Sequence, residues 1–135
     1  MQDGKVKTLQ ELNDAMSAIG SVLNPPGAVI SEVDKEQKIW RAYLSVEKNV
    51  AILKFGLGLE KPGEFVMDEP KSRELAKYLA DAFSALSAGI KLMEDGDAVH
   101  AWGELRSARN DLRFYLREIR RLRLRTARTR KPAKA

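Results

Sequence analysis

The stretch DAVHAWGELRSARNDLRFYLREIRRLRLRTARTRKPAKA, residues 97–135, decides how the rest of the chain is read. Arginines at 109, 113, 117, 121 and 125 recur every four residues, so on a helix each lies one turn above the last. Like charges at that spacing oppose one another by roughly 0.2–0.5 kcal/mol per pair. At about 100° per residue, Leu105, Ala108, Leu112, Tyr115, Ile119, Leu122 and Thr126 fall on one face. Arg106, Arg109, Arg113, Arg117, Arg120, Arg121 and Arg125 take the opposite half, while Glu104, Asp111 and Glu118 gather on one flank. An ordinary solvated face mixes acids with lysines. Segregated arginine, whose planar fork suits phosphate oxygens, points to an anionic partner.

The apolar face of this helix needs other helices to cover it, and the upstream sequence supplies three. Asp97 caps the long helix, and Glu94-Asp95-Gly96-Asp97 is a tight turn that sets an antiparallel hairpin with the helix before it. That helix, with Ser72 as its cap, carries the stripe Leu75, Leu79, Ala82, Leu86, Ile90 and Met93. Ala80, Ala82, Ser84, Ala85, Ser87, Ala88 and Gly89 make it thin and closely packable. Lys61 to Lys71 is a loop broken by Pro62-Gly63 and Pro70, with Phe65, Val66 and Met67 expected to pin it to the core or to a neighbour.

Farther back, Ser31 caps a helix whose apolar seam is Ile39, Tyr43, Val46, Val50, Leu53 and Leu57. From Val50 to Leu59 it is apolar nearly all round, which implies burial on more than one side. Gly56 and Gly58 suit either the close approach of another backbone or a fraying helix end. After a polar lead over 1–7, Thr8 with Glu11 three residues on reads as the cap of a shorter first helix carrying Leu9, Leu12, Met16, Ile19 and Leu23. Asn24-Pro25-Pro26-Gly27 ends it, because proline cannot continue the hydrogen-bond ladder.

The expectation is an all-α antiparallel helical bundle, three long helices plus a shorter N-terminal one, over residues 1–125. The last helix projects beyond the bundle and runs into a basic tail, 126–135, without order of its own. The 135 residues, 44% hydrophobic and 32% charged, suffice for one domain with a core. There is no cysteine, which excludes disulfides and thiolate metal sites. No apolar run reaches the length of a membrane span, and Met1 to Leu12 carries no signal-peptide pattern. The chain is therefore expected inside a cell, or in a particle assembled there.

The net charge of +5 is unevenly spread. Residues 106–135 hold twelve basic side chains against Asp111 and Glu118, a net +10. Residues 1–105 hold the other twelve basic side chains against seventeen acidic ones, a net −5. Such a split suits nucleic acid, an acidic membrane surface or an acidic protein as partner, or self-association of the basic end with the acidic body.

No enzyme chemistry is expected. His100 is the one histidine, without a nucleophile elbow or a metal-ligand cluster. Phe55-Gly56-Leu57-Gly58 lacks the Lys and Ser/Thr of a phosphate loop. Trp40, Tyr43, Tyr78, Phe83 and Tyr115 lie on or beside apolar stripes and read as core. Phe114 falls among the arginines, placed either to stack on a base or to pack on a neighbouring subunit. Arg109-Asn110 within a long helix resembles the start of the HEPN ribonuclease signature, which places a catalytic His about four to six residues after the Arg. Here those positions hold Arg113, Phe114 and Tyr115, so the resemblance implies an inactive relative with a similar bundle.

The function expected is non-enzymatic nucleic-acid binding of a packaging, coat or architectural kind. Phosphates would meet Arg106, Arg109, Arg113, Arg117, Arg120, Arg121, Arg125, Arg128, Arg130 and Lys131. The chain is expected to form a homo-oligomer or larger assembly, with no membrane, small-molecule substrate, metal or cofactor. The alternative is a module that docks its basic helix on an acidic protein.

Overall fold

A computed structural model describes residues 2–24, 31–58 and 74–129. They form four helices: α1 Gln2–Leu23, α2 Glu32–Gly56, α3 Leu75–Glu94 and α4 Ala98–Thr129. No strand occurs among the described residues. Each helix packs on two others, α1 on α2 and α3, and α4 on α3 and α2, so α1 and α4 are diagonal and so are α2 and α3.

Side-chain ties give the directions. Lys38 reaches Ser21 and Lys48 reaches Glu11, so α1 and α2 run antiparallel. Glu47 faces Arg109 and Glu36 faces Arg123, so α2 and α4 do too. Tyr78 meets Phe114, and Gly89 lies against Ala101 and Leu105, so α3 and α4 complete the antiparallel set. It follows that α2 and α3 are parallel, with the end of α2 and the start of α3 at opposite ends of the bundle.

The core is built from the expected stripes. Leu12 and Ile19 of α1, Ile39 and Val46 of α2, Leu86 of α3, and Leu105 and Leu112 of α4 are fully buried. Each such Leu or Ile contributes roughly 1.5–3 kcal/mol relative to exposure. One polar side chain joins them. Asn49 is buried and donates to the Ser45 carbonyl, 2.8 Å, and to Glu11 Oε2, 3.0 Å.

The helix ends follow local chemistry. Ser31 Oγ accepts from the Asp34 backbone N–H at 3.2 Å and starts α2. Asp97 Oδ1 accepts from the His100 N–H at 3.2 Å and starts α4. Between α3 and α4, Asp97 N–H donates to Leu92 O at 2.8 Å and Gly96 N–H to Met93 O at 3.1 Å. This Schellman closure needs the left-handed φ of 84° that Gly96 takes without a Cβ clash. Gly58, at φ 66°, closes α2 in the same region of backbone space.

Several boundaries differ from the sequence reading. Helix α1 begins at Gln2, not after Thr8, and with 22 residues it is longer than the 20-residue α3. The polar lead has no proline, and Lys5, Val6 and Lys7 all tolerate a helix, so the alternative cap at Thr8 does not interrupt it. The cap of α3 is Glu74, without a side-chain hydrogen bond, rather than Ser72, which lies outside the described residues. Among the described residues nothing lies within 4 Å of a Cβ added at Gly56, so none of them brings a second backbone close there. Ile52 and Phe55, expected to be covered, are exposed; among the described helices only α1 and α4 pack on α2. Helix α4 continues to Thr129, past the point where the tail was expected to begin. Leu122 and Thr126, expected on the buried face, are exposed there. Residues 130–135, the segment Pro25-Pro26-Gly27 and the loop with Phe65, Val66 and Met67 lie outside the described residues.

Candidate nucleic-acid interface

Helix α4 lies between α2 and α3, and this controls which arginines reach solvent. Its buried arc is wider than one apolar stripe. On the α2 side it takes in Arg109 and Leu116, and on the α3 side Phe114. Arg106, Arg113, Arg117 and Arg120 share the remaining open arc, about 60° wide and roughly 21 Å long. Arg113, Arg117, Arg120, Arg121 and Arg125 are exposed, and Arg106 is half-buried. No Asp or Glu of α4 falls on this arc; Glu104, Asp111 and Glu118 lie round toward α3 and the core.

Arg109 does not belong to the exposed ladder, contrary to the helical wheel. It is only 8% exposed. Its guanidinium sits 3.9 Å from Glu47 and donates to Asn110 Oδ1 from Nε at 3.3 Å and from NH2 at 3.1 Å. Burial holds it below the usual arginine range and Glu47 pulls the other way, but an arginine so placed stays charged. The Arg109-Asn110 pair behind the HEPN resemblance is thus buried and hydrogen-bonded to itself. Phe114 is likewise not a surface aromatic. It is 6% exposed, with its ring 6.3 Å from that of Tyr78 on α3.

Besides Arg109, two arginines pair with acids in ways the described residues show. Arg121 pairs with Glu118 one turn back, 2.7 Å. Arg123, absent from the sequence-derived set, pairs closely with Glu36 of α2. That tie anchors the outer part of α4 to the start of α2. Arg113, Arg117 and Arg120 form no ion pair with another described residue. Arg106 lies over the Trp102 ring, 5.6 Å from its centre. The side chain of Arg128, and Arg130 and Lys131 entirely, lie outside the described residues.

The seam between α2 and the arginine strip carries a residue the sequence reading assigned to the core. Trp40 is 45% exposed. Its ring meets Tyr43 edge-on, centroids 5.7 Å apart at 83°. Tyr43 is half-buried; burial, then a hydrogen bond to Glu47, push its hydroxyl up, while Arg113 and Arg109 oppose that shift. Trp40 follows Ile39 by one residue, about 100° round the helix, and that offset from the seam was the available signal.

His100 is exposed and bound to its own cap residue, Nδ1 to Asp97 Oδ2 at 2.7 Å. The His100 backbone N–H, then its ring, hold the Asp97 carboxyl below its usual range. Among the described residues there is no group of His, Cys, Asp and Glu fit to hold a metal ion. None of the described helices is long and apolar enough to cross a membrane. No protein-family model, curated protein or solved structure matches this chain.

Proposed function

We propose that the chain binds nucleic acid without catalysing a reaction, as a packaging or architectural protein, through the open strip of α4. One observation carries this reading: Arg106, Arg113, Arg117 and Arg120 line a single arc of α4 on which none of that helix's own acids falls, with α2 and α3 packed beneath it. The i,i+4 neighbours Arg113 and Arg117 repel by roughly 0.2–0.5 kcal/mol, and a polyanion laid along the strip converts that cost into attraction. Arginine forks suit phosphate oxygens without reading sequence. Arg121 and Arg125 flank the strip and extend it toward the end of α4.

Docking on an acidic protein is the second reading. It is favoured by Leu124, which is exposed on the same arc one turn beyond Arg120 and offers an apolar surface that phosphates do not need.

The test is the triple variant Arg113→Gln, Arg117→Gln, Arg120→Gln. Its helicity and melting should match the parent, since all three side chains are exposed. Against mixed-sequence DNA and RNA, the slope of log affinity versus log salt should shrink by about 0.7–0.9 for each phosphate no longer neutralised. An unchanged slope removes the strip as the binding surface. Failure of the parent to bind any nucleic acid passes the lead to the acidic-protein reading.

A further inference from the structure

We propose that the strip takes single-stranded nucleic acid, with one base stacked on Trp40 while Arg113 and its neighbours hold the flanking phosphates. This rests on the nucleic-acid reading and narrows it to a substrate class.

The placement of Trp40 carries the inference. Two ties set the register of α2 on α4, Glu47 with Arg109 and Glu36 with Arg123. Trp40 falls between them, level with the turn of α4 around Arg117. Its neighbour Tyr43 lies within the field of Arg113. The indole packs edge-on against Tyr43, while nearly half of the residue remains open to solvent. An exposed aromatic beside a row of arginines is the pairing that single-strand binders use, stacking for bases and charge for the backbone. In a duplex the base faces are hidden in the stack, and exposing one costs unstacking energy. A duplex would therefore meet the arginines alone and leave Trp40 unused. A second copy of the chain would cover the indole too, and its acidic body would offer the arginines carboxylates, so the concentration series below separates that occupant from a nucleic acid.

The chain has two tryptophans, so Trp102→Phe leaves Trp40 as the sole reporter. The full-length Trp102→Phe protein is titrated with oligothymidylate and, separately, with a mixed-sequence DNA duplex of equal phosphate number. Single strand should quench Trp40 fluorescence, and duplex should quench it far less at equal saturation. Trp40→Leu, in the otherwise unaltered chain, should lose single-strand affinity by about 5- to 150-fold, the range that base–aromatic stacking spans. Its duplex affinity and salt slope should stay at the parent values, and Trp40→Phe should recover most of the single-strand affinity. Thermal melting of both Trp40 variants should match the parent.

Equal losses for single strand and duplex overturn the proposal, as does saturation by oligothymidylate with unquenched Trp40. A Trp40 emission shift that tracks protein concentration without oligonucleotide assigns the ring to a second copy and overturns it as well. If the parent binds duplex and single strand alike and only the arginine variant fails, the nucleic-acid reading stands and the single-strand proposal falls. If the parent binds neither, both fall together.

Discussion

At Arg109 a guanidinium is held between α2 and α4, where Glu47 and the Asn110 side-chain oxygen are its partners. Replacing it with Gln removes the charge and loosens both interactions in a mostly dry place. Arg109→Gln should lower unfolding free energy by about 1–3 kcal/mol in urea denaturation. Arg113→Gln, one turn on but in solvent, should stay within about 0.5 kcal/mol of the parent. Equal effects at the two positions would mean that Arg109 is not buried as described. A second residue governs the acid side. The Asn49 amide, then the Lys48 ammonium at 3.1 Å, stabilise the Glu11 carboxylate and hold its carboxyl below its ordinary value of 4.5. The folded chain thus binds this proton less readily than the unfolded chain. The stability it contributes is present above 4.5 and is lost as pH falls toward the lower folded value. Glu11→Gln should melt lower at neutral pH and lose less stability across that acid interval, as thermal scans against pH would register.

The α3–α4 hairpin depends on one close approach. A Cβ added at Gly89 would lie 2.9 Å from Leu105 Cδ2 and 3.1 Å from its Cγ. Leu105 is fully buried, so any shift it makes presses on other core side chains. Helix propensity favours Ala over Gly by about 1 kcal/mol, but overpacking costs about 1–3 kcal/mol. Gly89→Ala should therefore be net destabilising. The same substitution in a Leu105→Ala background, where the clash is gone, should be neutral or stabilising. Additive effects in this double-mutant cycle would rule out the Leu105 clash as the cause. The run of small residues made α3 legible in advance as a thin helix. Which of its seven small positions meets α4 depends on the crossing, which no run of residues states.

At the scale of the molecule, α2 has apolar residues left over. Leu44, Ile52 and Phe55 are exposed, and they lie farther round the helix from α4 than Trp40 does. Burying such side chains against a second copy would recover about 25 cal/mol per Å² of apolar surface. The chain should self-associate through this face at micromolar concentration, as light scattering would record. The double variant Leu44→Glu, Phe55→Glu should be monomeric with unchanged helicity, since neither side chain supports the core. A parent that stays monomeric at high micromolar concentration contradicts the interface. Leu44 and Phe55 carry no charge and make no part of the arginine strip, so the monomeric variant should keep the salt slope of a single strip.

Periodicity alone determined the helices and their core stripes. Ile39, Val46 and Val50, or Leu105, Ala108 and Leu112, repeat at a spacing that only a buried helical face explains, and all six are buried. Ser31 and Asp97 were legible as caps for the same local reason, because each satisfies a backbone N–H three residues away. The charge asymmetry of the last helix was legible too. What a single helix cannot state is how many neighbours it will have. Two neighbours on α4 widened its buried arc, drew Arg109 and Phe114 inside, and paired Arg123 with an acid 87 residues away. One open side on α2 left Trp40 in solvent beside the arginines. Residue spacing sets which side chains share a face; only the packing of helices from distant parts of the chain sets which faces are covered.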